Sequence, residues 1–250
     1  MNERMRGVYL KLKRAADHIS DVDDSIRSFC DSRPYEIRSR EHPIPAIQHI
    51  TVYVARVTPI PEELALQIGD AIHNVRSALD HLACQLVLAN GGKVRTGTSF
   101  PIRNPILDYD STFYGPKIEG MSEEAKELIL KMQPRVTGDN ALWEIHQLDI
   151  QDKHRLLFVA GAAHGGWGVE MGADQTLWFP EVYRFPLLEG HQIVNIPTTT
   201  YLKQSNRDFK IELDVTFSEP HLLKDKPVLK TLNQYVDVAT TLANKFEALV

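Results

Sequence analysis

Between Asp70 and Gln85 the chain carries Asp70, His73, Asn74, Arg76, Ser77, Asp80, His81, Cys84 and Gln85, with neither lysine nor glutamate among them. At 100° per residue these positions form one stripe, opposite an apolar seam of Ile68, Ile72, Val75, Leu79, Leu82 and Leu86. A helix face that meets only water is filled with Lys, Glu and Arg, which are good helix formers. Asp, Asn, Ser and His are poorer ones, so the stripe is expected to contact another element. Two explanations compete: a hydrogen-bonded network between packed helices, or the wall of an active site. His81 has the right unperturbed pKa for general acid or base work near neutrality, and Arg76 presents a planar set of donors suited to phosphate. In the alternative, Arg76 and Asp80 form an ion pair at i and i+4 and His81 satisfies a nearby carbonyl.

A second polar set lies in Leu142 to Arg155, where the wheel puts His146, Asp149 and Lys153 on the face of Leu142, Ile145 and Leu156. Lone charges there would cost several kcal/mol each. Asp149 and Lys153 are therefore expected to pair with each other or with Asp70, Asp80 or Arg76, which requires the two helices to touch. Asp70-x-x-His73 and His146-x-x-Asp149 each set a carboxylate and an imidazole one turn apart, the third reading being a metal held between helices. The sequence has no HExxH and no GxSxG, and Gly161 to Gly168 lacks the Lys-Ser or Lys-Thr of a phosphate loop and reads as a strand connection. No cofactor is expected.

Arg76 and His81, separated by four residues inside a long helix, resemble the RxxxxH signature of the HEPN helical superfamily, many of whose members are metal-independent RNA endonucleases acting as dimers. The residue after the arginine, Ser77, departs from the Asn, Asp or His common there. The resemblance implies RNA as a partner, a homodimer, Arg76 and His81 as the catalytic pair, and Asp70, His73, Asn74, Ser77, Asp80, His146, Asp149 and Lys153 in support. Five residues along a helix put Arg76 and His81 about 140° apart and roughly 7.5 Å along the axis, so a facing copy of the helix would have to complete the site. The segments Gly69 to Leu82 and Leu142 to Arg155 together also resemble a family of bacterial proteins with no assigned activity, which supports pairing the two segments.

The elements that must position these residues are legible from periodicity. Met5, Val8, Leu12, Ala15, Ile19, Val22, Ile26 and Phe29 recur at three and four, predicting a helix over about 3–31 that ends before Pro34. Tyr35 to Arg40 and Ile47 to Val57 read as a hairpin around His42-Pro43-Ile44-Pro45. Pro59 and Pro61 with Glu62 and Glu63 open the second helix, which runs to Asn90-Gly91-Gly92. Residues 93–120 read as mostly irregular, with a shorter helix from Ser122 to about Met132 and another over about 141–155. Short β-like runs follow at 156–160, 176–179, 183–187, 192–196 and 209–217. A last seam of Leu229, Leu232, Val236, Ala239, Ala243, Phe246 and Val250 closes the chain.

The expected fold is α+β: a bundle of three long helices and a shorter one with an antiparallel sheet subdomain. It reads as one domain over 1–250, helical over about 1–155 and 225–250 and β-rich over about 156–217. With 28 basic against 33 acidic residues the net charge is −5, so no global positive field draws in nucleic acid and an RNA site would have to be local. Cys30 and Cys84 lie outside any CxxC spacing, which excludes a disulfide framework and the usual structural zinc. No apolar run is long enough for a bilayer, so a cytoplasmic location without membrane contact is expected.

Overall fold

A computed structural model describes residues 2–41, 48–106, 111–133, 137–157, 159–170, 176–179, 188–197, 209–219 and 222–250. The fold is α+β. Its elements in chain order are α1 (Arg6–Asp31, after a 3-10 turn at Glu3–Met5), β1 (Tyr35–Glu41), β2 (His49–Val57) and α2 (Glu62–Ala89), followed by α3 (Ser111–Ile118), α4 (Glu123–Lys131) and α5 (Ala141–Asp152). The strands β3 (Val159–Glu170), β4 (Thr176–Phe179), β5 (Gln192–Pro197) and β6 (Phe209–Phe217) precede α6 (Val228–Phe246). The chain divides into two compact units, one of residues 1–23, 62–157 and 228–250, the other of residues 24–61 and 158–227.

In the first unit α2 is the central helix, packed against α5 and α6, which also meet each other. All six seam residues of α2 are buried, and so are Leu64, Ala65, Ala71, Ala78, Ala83 and Val87 around it, which leaves little of the helix facing water. Its end is set by chemistry visible in the sequence. Gly91 takes φ +74°, and the amides of Gly91 and Gly92 donate to the carbonyls of Leu88 and Val87, closing a Schellman turn that needs a left-handed residue at Gly91. All eight seam residues predicted for the first helix are buried, Met5 in the 3-10 turn and the other seven on α1. Ser122 caps α4 by accepting from the Ala125 amide.

Three elements differ from the sequence reading. α3 lies inside the stretch expected to be irregular; Gly115 and Pro116 interrupt its apolar period and hide it. The buried face of α6 keeps Leu232, Ala239, Ala243 and Phe246 of the predicted seam, and Val228, Tyr235 and Leu242 are buried in place of Leu229 and Val236. α5 ends at Asp152, earlier than the expected 155, and at its start Asp139 accepts from the Ala141 amide.

The second unit holds two antiparallel sheets, ordered β1-β2-β5 and β4-β3-β6. The predicted hairpin forms, with Tyr35 opposite Val57 and Glu41 opposite Ile50, while its turn lies outside the described residues. Its β2 pairs with β5, so the hairpin belongs with the β-rich unit, although the sequence reading had assigned residues 1–155 to the helical part. Gly161 to Gly168, read as a connection, is part of β3, the central strand of its sheet, where ladder bonds on both sides compensate for the weak strand propensity of Gly and Ala. The predicted strand at 183–187 lies outside the described residues. Cys30 and Cys84 are free thiols.

The core of α2 and its surface have separable costs. Leu82→Ala, at a fully buried site, is expected to lower unfolding free energy by about 2–5 kcal/mol. Leu66→Ala, at a residue 48% exposed, is expected to change it by no more than about 0.5 kcal/mol in the same urea titration.

Candidate functional site

The two polar sets meet where α2 crosses α5. Asp149, 4% exposed, is the hub: its Oδ1 lies 2.8 Å from His73 Nδ1 and its Oδ2 accepts from Lys153 Nζ at 2.6 Å. A carboxylate this deeply buried must be matched by donors, and both of its partners reach solvent with about half of their side chains. Ser77 Oγ stands 3.4 Å from His73 Nε2. Gly69 of α2 faces Asp152; a Cβ at that position would meet the end of the Asp152 side chain, which would have to turn aside. Burial pushes the Asp152 pKa up, and the neighbouring Asp70 and Asp149 carboxylates add to the shift.

One turn along α2, Arg76 is 7% exposed. Its Nη2 donates to the Phe100 carbonyl at 3.0 Å and lies 2.8 Å from Asp80 Oδ1, which also accepts from the Phe100 amide at 2.9 Å. One turn of α2 thus grips both backbone groups of Phe100. Burial raises the Asp80 pKa against the pull of Arg76 and of the Phe100 amide, and lowers that of Arg76 against the pull of Asp80 and Asp149. Beside this strap, Lys117 Nζ donates to Ser99 Oγ at 3.3 Å.

His146, on α5, is half-buried beside the Trp143 ring. Burial, followed by the positive charges of Arg76 and Lys117, brings its pKa down to about 4. Asn74 is buried, donating to the Asp70 carbonyl and accepting from Lys11 Nζ of α1. Asp70 is exposed. His81 is exposed too, its ring against α1 at Gly7, where an added Cβ would sit 2.9 Å from Nδ1.

The structure therefore joins His73, Ser77, Asp149 and Lys153 in one cluster and Arg76 with Asp80 in another. It does not bring Arg76 and His81 of one chain together: the first turns to the residue 99–100 strap, the second to α1. The expected pairing of Asp149 with Lys153 and the contact between α2 and α5 are both present. Among the described residues no group of three or more His, Cys, Asp or Glu is arranged to hold a metal ion, and no helix is long and apolar enough to cross a membrane.

Two features escaped the sequence reading. Tyr235 on α6 donates from its buried hydroxyl to Glu144 Oε2 of α5 at 3.0 Å, and this contact raises the tyrosine pKa further above a value already lifted by burial. The signal was Glu144 among Leu142, Ile145 and Leu148, a carboxylate on the edge of an apolar face. A cavity of about 310 Å³ lies between α5, α6 and the residues after α4, lined mainly by Met132, Leu142, Val238 and Leu242 with Asp139, Asp237 and Lys245 among them. Comparison with known proteins finds no matching family model, no similar curated protein and no similar solved structure.

Removing the hub should cost more than removing its exposed partner. Asp149→Ala is expected to destabilise by about 1–3 kcal/mol and Lys153→Ala by about 0–1 kcal/mol in chemical denaturation. His146 gives a pH signature. The unfolded ring takes its proton near 6.5 and the folded ring near 4, so its contribution to stability is complete above 6.5 and is lost as pH falls through that window. Between about pH 7.5 and about pH 5 the wild type should lose about 1 kcal/mol more than His146→Gln, after allowance for solvent screening of a half-buried ring.

Proposed function

We propose that this chain is a non-enzymatic binding or scaffold protein, in which the polar stripe of α2 is a network that fixes helix register. One observation carries the reading: the Arg76 guanidinium is buried and bonded to Asp80 and the Phe100 carbonyl, so it stands at no open surface where a polymer could meet it. Such a network specifies one alignment of two helices among several that would bury equal apolar area, a use for which buried polar groups are suited. A cytoplasmic location accords with two free thiols.

A second reading is favoured by the exposure of His81: a HEPN-like, metal-independent RNA endonuclease, or a silent relative, whose site is completed by another copy of the chain across a two-fold axis. In that reading His81 moves the proton of the ribose 2′-hydroxyl or of the leaving oxygen. Arg76 could hold the phosphate only after the residue 99–100 strap moved away from it.

Incubation of varied RNAs in EDTA with wild type, Arg76→Ala and His81→Ala separates the two. The binding reading expects no cleavage by any of the three. Cleavage by wild type that both variants lose would establish the nuclease and overturn the scaffold. His81→Ala is the informative variant, because an exposed ring can be removed without opening the core.

A further inference from the structure

Two contacts fix how α2 and α5 pass each other: Gly69 lies against Asp152, and His73 against Asp149. Four residues forward on α2 correspond to three residues back on α5, so the helices are antiparallel. The next turn then sets Arg76 opposite His146. Arg76 Nη1 and His146 Nδ1 are both buried and have no hydrogen-bond partner among the described residues. A buried polar atom left unmatched costs about 1–3 kcal/mol, more when it is charged, so two at one crossing point to a ligand or to water.

The charges nearby favour an anion. Asp80 answers Arg76, and Asp149 is shared by Lys153 and His73. Lys117 reaches the same place through the strap, since Ser99 takes its ammonium and the adjoining Phe100 takes Arg76. It bonds the Ser99 hydroxyl and lies over the Phe113 ring, and its charge also acts on Asp80. Burial first, and then the charges of Arg76, Lys117 and Lys153 against the opposite pull of Asp149, lower the His146 pKa.

We propose that Arg76, His146 and Lys117 form a seat for one small tetrahedral oxyanion of the phosphate class, with Arg76 Nη1 and the His146 Nδ1–H as direct donors and the Lys117 ammonium as balancing charge. The burial of Arg76 excludes a nucleic-acid strand and leaves a small free anion such as phosphate. The seat supplies a ligand for the binding reading and rests on it for biological sense. The titration below is independent of RNA cleavage, so either can fail while the other stands.

The test is isothermal titration of the full chain with inorganic phosphate at constant ionic strength, in a buffer free of other oxyanions. Saturable binding of one phosphate per chain is expected. His146→Phe and Lys117→Met should each weaken it about tenfold or more while leaving the circular dichroism spectrum unchanged, as loss of a charge-assisted bond or a balancing charge predicts. These variants avoid the core damage that replacing Arg76 would bring. Absence of saturable uptake would mean that water alone meets the two nitrogens and would overturn the seat. Binding that both variants retain within twofold would place the anion elsewhere and overturn it equally.

Discussion

Asp149 is a negative charge taken almost wholly out of water, and the alignment of α2 with α5 follows from the need to match it. Its two oxygens are divided between the helices, one to His73 of α2 and one to Lys153 just past the end of α5. A slip of one residue would leave a carboxylate facing methyl groups, at a cost several times that of the apolar area gained or lost by the slip. Burial of leucines holds the helices together but hardly distinguishes one register from the next. The carboxylate does distinguish them, and Gly69 meets Asp152 in the same register a turn away.

That register determines which groups come together. Because His73 faces Asp149, Arg76 lies opposite His146, away from the side on which His81 meets α1. Arg76 is thereby held inside the crossing and the exposed histidine is left outside it. The two residues of the RxxxxH spacing therefore work in different surroundings, one desolvated and bonded, the other open to solvent.

Much of this was legible in the sequence because burial obeys period. The eight seam residues predicted for the first helix and the six of α2 are all in the core, and the stop at Asn90-Gly91-Gly92 forms the expected turn. The pairing of Asp149 with Lys153 could be argued from the cost of lone charges on an apolar face, without coordinates. What could not be read depends on distant partners. Tyr235 is a core residue because Glu144 meets its hydroxyl, and no local pattern on α6 announces a carboxylate on α5. The strap that takes Arg76 lies more than twenty positions away in a segment with no periodicity of its own. β3 accepts a run of glycines because strands pair on both sides of it, a fact about neighbours and not about the run.

The hold of α2 on Phe100 has one more consequence. An arginine and an aspartate one turn apart take the carbonyl and the amide of the same residue, much as the edge of a neighbouring strand would. A helix here imitates a β-ladder with two side chains. Main-chain atoms are common to every amino acid except for the missing amide of proline, so this grip imposes no sequence beyond the ring of Phe100, which stacks edge-on against Phe246. The grip thereby ties Arg76 and Asp80 to the course of the main chain at Phe100 and not to a side chain of the loop.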